Sequence, residues 1–217
     1  MIDAINAKAG TNVQYLAELD TFHIFGAGEI IAEYIDFFSS ESVKAYLIPQ
    51  LVLDKVKDCD KLILRLYMQF RKSQSFISQP GEPAPSHIYV RYDSAFHSLR
   101  SKRIASNLLD IVFSPRDAFY LPLTVKMLAS WRVPELKKAL LIYSSPDSIS
   151  AHDVGLQENG QSYFPPFSFM RKELRFTAIN GLKYYPSEET LDALNVCVSD
   201  LDADIRTAAR KVIKKLQ

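Results

Sequence analysis

Apolar positions recur mostly at three- and four-residue intervals along the chain, and the clearest run is the last, MRKELRFTAINGLKYYPSEETLDALNVCVSDLDADIRTAARKVIKKLQ, from Met170 to Gln217. Leu174, Ala178, Ile179 and Leu182 fall on one stripe of a helix predicted over 171–184. Pro186 stops that helix. Ser187, with Glu188 and Glu189 behind it, supplies an N-cap and an acidic first turn for a second helix that carries Leu191, Leu194, Val198 and Leu201 on one side. Asp200, Asp202 and Asp204 make an acidic corner, and a third helix follows with Ile205, Ala208, Ala209, Val212, Ile213 and Leu216 inward. Its cations Arg210, Lys211, Lys214 and Lys215 gather toward the C-terminal end, where the helix dipole favours positive charge. None of these helices can bury its stripe alone.

Toward the N-terminus the pattern admits two readings. In one, Tyr15, Leu16, Leu19 and Phe22 form a helix, the glycines of GAGE break it, and Ile30, Ile31, Tyr34, Ile35 and Phe38 form its partner. In the other, FHIF is a strand, Gly26 and Gly28 open a phosphate-cradling turn, and VKAYLI (Val43 to Ile48) is the next strand of a βαβ unit resembling a dinucleotide-binding fold. That second reading lacks its third glycine, because Ile31 stands there, and it lacks an acidic residue after the second strand. The following segment, ESVKAYLIPQLVLDKV, favours the helical reading, with Pro49 bending a helix rather than ending it. KDCD makes a corner, and KLILRLYMQFRKS supplies a helix with Leu62, Leu66, Met68 and Phe70 apolar and Arg65 within it. HIYVRYDSAF alternates enough to allow a short strand. From Leu99 the helical rhythm resumes through LRSKRIASNLLDIVF, DAFYLPLTVKMLASW and ELKKALLIYSS.

Two stretches break the rhythm. SQSFISQPGEPAPS, from Ser73, is rich in Pro, Gly and Ser, and SPDSISAHDVGLQENGQSYFPPF, Ser145 to Phe167, is a loop by composition.

The phrases LRFTAINGL (Leu174 to Leu182) and DIRTAARKVIKKL (Asp204 to Leu216) resemble successive second helices of HEAT repeats: an acidic corner, an apolar residue, an arginine, then small residues before leucine. Arg175 and Arg206 lie about 31 residues apart, close to the shorter bacterial variants of that repeat. LIPQLV is similar to the core of a HEAT first helix. The resemblance is clearest over 170–217 and implies an all-α, right-handed superhelix of about five helix pairs, in which each pair leaves an apolar face for its neighbour to cover. On that view residues 1–217 form a single solenoid domain, less regular over 1–90 and regular over 99–217, with two long inserted loops.

Composition agrees with a helical globular chain. Seven glycines in 217 residues are few, and 47% hydrophobic with 24% charged residues is not the signature of disorder. A formal net charge of +1 gives no global pull toward nucleic acid or anionic membrane. Cys59 and Cys197 sit far apart in helical contexts and read as free thiols of a reducing, cytoplasmic compartment. The start carries no secretory pattern, and no stretch approaches the length of an apolar membrane span.

No catalytic signature emerges. His23, His87, His97 and His152 are scattered, without HExxH, and the repeated His-Glu pairs of HEAT-like metal hydroxylases are absent, so no metal and no cofactor is expected. There is no GxSxG nucleophile. Asp58 with Asp60, and Asp153 with Glu158, are paired carboxylates of the kind that line corners. Basic residues cluster at Arg100, Lys102 and Arg103, and again at Arg171, Lys172 and Arg175.

Because second helices of a solenoid line its concave face, the resemblance places Arg171, Arg175, Arg206 and Arg210 on a partner-binding stripe. A competing role for Arg175 and Arg206 is pairing with corner aspartates such as Asp202. YFPPF adds Tyr163, Phe164 and Phe167 as a rigid aromatic segment that docks on a partner or folds back on the chain. The expected function is that of a protein-protein interaction scaffold whose partner is another protein. Nucleic-acid binding on the basic stripe, as in HEAT-like DNA glycosylases, is the alternative, and nucleotide binding at Gly26 and Gly28 is a third.

Overall fold

A computed structural model describes the chain except residues 11, 13, 16–17, 19–23, 78–85, 151–152 and 154–166. Tyr163 and Phe164 therefore lie outside the described residues, as do His23, His152 and Glu158. The described residues form twelve α-helices, two short 3-10 turns and no strand. They group into two compact units, one over 1–77 and 86–104, the other over 105–217.

In the first unit, α1 (Ile2–Ala9) packs on α2 (Ala27–Tyr34), which packs on α3 (Glu41–Leu53). Ser40 caps α3, and Pro49 lies inside it. Lys44, Ala45, Leu47, Ile48, Gln50 and Leu51 are all buried, so α3 is enclosed on most sides rather than amphipathic. VKAYLI belongs to this helix, and the βαβ alternative loses its second strand.

The two glycines have a packing role. Gly26 enters α2 with φ of 82°, in the left-handed region. A Cβ on Gly28 would stand 2.8 Å from the Gln50 carbonyl oxygen and 2.9 Å from Asp54 Cβ, so only glycine allows α2 this close to α3. The Gly28 N–H donates to Asp54 Oδ2 at 2.6 Å; a carboxylate of the chain itself occupies the donor a phosphate would need.

α4 (Cys59–Ile77) and α5 (Ser86–Leu99) close this unit. HIYVRYDSAF is helical, because its buried residues Ile88, Tyr89, Tyr92, Asp93, Ala95 and Phe96 follow the 3.6-residue period of α5. Its aromatics meet those of α4: Tyr67 lies edge-on to Tyr92 and Phe96 at centroid distances of 5.1 and 5.7 Å, and Phe70 edge-on to Tyr89 at 4.9 Å. Met68, one of the apolar residues of this helix, is exposed, because Tyr67 and Phe70 take the core side of α4. Helical structure reaches Ile77, so the first five residues of the stretch that its composition marks as a loop, 73–77, are helical.

Asp58 and Asp60 form a clamp. Asp60, 3% exposed, accepts from Ser101 Oγ at 2.5 Å and from Arg103 Nη2 at 2.6 Å, while Asp58 accepts from Arg103 Nη1 at 2.8 Å. Burial pulls the Asp60 carboxyl up, but its hydrogen bonds from Ser101 and Arg103 outweigh that and hold it below the ordinary carboxylate range.

The second unit runs α6 (Ala105–Val112), α7 (Pro115–Tyr120), α8 (Pro122–Ser130), α9 (Leu136–Ser144), α10 (Phe167–Leu182), α11 (Glu188–Val198) and α12 (Ala203–Leu216). α10 is its centre, touching α7, α8, α9 and α12. α9 pairs with α10 and α11 with α12, and like helices also meet, α9 with α11 and α10 with α12. Gly181 makes the centre possible: a Cβ there would come within 3.1 Å of Ala129 Cβ and of Leu140 Cδ1. Ser187 caps α11 as the sequence predicts, accepting from the Thr190 N–H at 3.1 Å. The buried face of α11 is Thr190, Leu194 and Cys197, rotated from the expected Leu191, Leu194, Val198 and Leu201.

Candidate functional site

The corner between α11 and α12 is built from three aspartates. Asp202 caps α12, its Oδ1 accepting from the N–H of Asp204 at 2.8 Å and of Ile205 at 3.2 Å. Asp200 Oδ1 accepts from the Asp202 N–H at 2.8 Å, folding the turn on itself. That leaves Asp200 Oδ2 for Arg175 of α10, whose Nη2 donates to it at 2.5 Å. Both side chains of the pair are 9% exposed. Arg175 Nε also reaches the Ser144 carbonyl at 3.3 Å, at the end of α9. One guanidinium thus ties three elements together.

Electrostatics agree with the geometry. Burial raises the Asp200 carboxyl, yet the hydrogen bond and charge of Arg175 prevail and hold it below its ordinary value. Lys172, one turn earlier on α10, bridges Asp202 at 3.0 Å and Asp204 at 2.5 Å, and its hydrogen bond lowers the Asp202 carboxyl. Arg206 Nη1 donates to the carbonyls of Asp200 and Leu201, each at 2.8 Å, and adds a third side chain to those that fix the turn.

A turn held so firmly has no freedom to tuck in its apolar member. Leu201 is 99% exposed and Val196 is 66% exposed. They stand with Phe169, also exposed, around a groove of about 890 Å³ whose remaining apolar lining is Pro146 and Ile205. Its charged lining is Asp147, Arg171, Lys172, Arg175, Asp200 and Asp202. Full burial of a side chain of this size is worth about 1.5–3 kcal/mol, and Leu201 forgoes nearly all of it.

The predicted site residues divide. Arg171 and Arg175 line the groove, but Arg175 is buried and ion-paired, acting in the competing role, with Asp200 rather than Asp202 as its partner. Arg206 does not line the groove but donates to the backbone carbonyls of Asp200 and Leu201 at its rim. Arg210 is exposed further along α12. Phe167 stacks on Phe119 at 5.4 Å with 22° between the rings, and the Arg171 guanidinium lies over the Phe167 ring at 5.6 Å from its centroid. Leu201 was expected inward because it continues the α11 spacing; the helix ends at Val198, and the period ends with it. Val196 and Phe169 gave no sequence signal apart from standing out of phase with the buried stripes.

Among the described residues that line the groove none is histidine or cysteine. Among the described residues no three His, Cys, Asp or Glu side chains gather as a metal site, and no helix is long and apolar enough to cross a membrane. Comparison with known protein families, characterised proteins and solved structures finds no match to this chain.

Proposed function

We propose that this chain is a protein-binding module and that the groove beside the Arg175–Asp200 pair takes a segment of a partner protein. The observation that carries the proposal is the exposure of Leu201 on a corner tied down by Arg175, Lys172 and Arg206, beside the exposed Val196 in the last turn of α11. A preorganised apolar rim gives binding energy without an ordering cost. The pairing of α9 with α10 and α11 with α12, and of like helices with each other, supports a HEAT-like relation for this unit and a scaffold role of the kind such repeats serve. Two buried, free cysteines fit a cytoplasmic setting.

Leu201→Asp and Val196→Asp test the proposal. A photocrosslinking residue at position 169 should capture a partner segment in the wild-type background and lose it in both variants, while their circular dichroism and melting remain those of the wild type. Unchanged capture in the folded variants would remove the groove from the function.

A further inference from the structure

We infer that the groove's occupant is an acidic segment that inserts one aliphatic or aromatic side chain between Leu201, Val196 and Phe169; the inference rests on the protein-binding role proposed above. Charge complementarity carries it. Of the groove's cations, Arg175 is neutralised by Asp200 and Lys172 by Asp202 and Asp204. Arg171 has no ion pair among the described residues and is held by the Phe167 ring, which in turn stacks on Phe119. Among the described lining residues Asp147, in the turn after α9, is the acid outside those pairs, so the groove's own charges balance and the excess lies on α12.

Beyond the rim the balance is one-sided. Past Asp204, α12 carries Arg206, Arg210, Lys211, Lys214 and Lys215 and no acid. Successive positions advance by 100°, so these five spread over the arc opposite the buried Ile205, Ala208, Ala209 and Val212. The four beyond Arg206 are exposed and have no ion pair among the described residues. Arg206 joins this arc to the groove by its bonds to Asp200 and Leu201. From Arg206 to Lys214 the helix rises ~12 Å, the reach of about four residues of extended chain. A short segment therefore has room to seat an apolar anchor and still lay carboxylates on Arg171 and the arc. Such contacts are exposed and screened, so binding should weaken as salt rises.

The test is selection of displayed random peptides on the immobilised full chain, followed by fluorescence anisotropy with the selected peptides. Expected are sequences with a Leu, Ile, Met or aromatic residue among Asp and Glu. Arg171→Glu should weaken them tenfold or more, the double variant Lys211→Glu, Lys214→Glu should do the same, and Leu201→Asp should abolish binding. Both charge variants alter exposed or half-exposed positions, and their fold is checked by circular dichroism. Peptides lost by Leu201→Asp but without acidic bias would overturn the inference and leave the protein-binding groove standing. No selected peptide, or peptides indifferent to Leu201→Asp, would overturn both. A single-stranded oligonucleotide that binds more tightly than any peptide, and is released by salt and by the same charge reversals, would overturn both in favour of nucleic acid.

Discussion

Arg175 and Asp200 meet inside the second unit, Nη2 to Oδ2 at 2.5 Å, with the same guanidinium reaching the Ser144 carbonyl. This pair converts an acidic corner into a fixed platform. It also decides how the site must be probed, because charge reversal at Arg175 would destroy the corner it is meant to report on.

Arg175→Met should destabilise the chain by about 3–5 kcal/mol, since the loss of one partner leaves a buried carboxylate uncompensated. Adding Asp200→Asn should recover part of that loss by removing the stranded charge. Urea unfolding followed by circular dichroism reads both; equal stability of the single and double variants would contradict the account.

Stability should fall with acid. The carboxyls of Asp36, Asp60, Asp200 and Asp202 are all held below their ordinary value in the folded chain. Their contribution is complete above the unfolded aspartate value, near ~3.9, and is lost as pH drops through the lower folded values. Urea midpoints should hold from pH 7 to about 5 and decline below about 4, with a shallower decline in Asp200→Asn.

Gly28→Ala should cost about 1–3 kcal/mol, because the new methyl meets the Gln50 carbonyl oxygen and the Asp54 side chain. Nucleotides should not raise the melting temperature of either form, since Asp54 already holds the Gly28 N–H. A nucleotide-dependent shift that disappears in Gly28→Ala would restore the phosphate cradle.

Both cysteines should resist thiol reagents until the chain unfolds. Burial pushes the Cys59 thiol up to about 11, with the Asp60 charge adding to it, and burial raises Cys197 as well. At pH 8 a thiol titrating near 11 is ionised in only about one molecule in a thousand. Labelling kinetics in native buffer and in urea should differ by orders of magnitude; fast native labelling would contradict this.

The sequence by itself determined the helical class and much of the C-terminal order. The stripe of Leu174, Ala178, Ile179 and Leu182, the stop at Pro186, the cap at Ser187 and the inward face of α12 are local properties, set by a 3.6-residue period and by side chains that reach their own backbone. Only the tertiary structure decided which arginine is free. Arg171 and Arg175 are one turn apart on α10, and the sequence left Arg175 either on the binding stripe or paired with a corner aspartate; in the fold Arg171 meets a ring and stays half-exposed while Arg175 meets Asp200 and is buried. Leu201 likewise looks like the next member of a buried stripe until the chain turns after Val198 and three charged side chains lock the turn with that leucine outward. Pattern records what a residue is able to bury; the contact of distant elements fixes what it does bury.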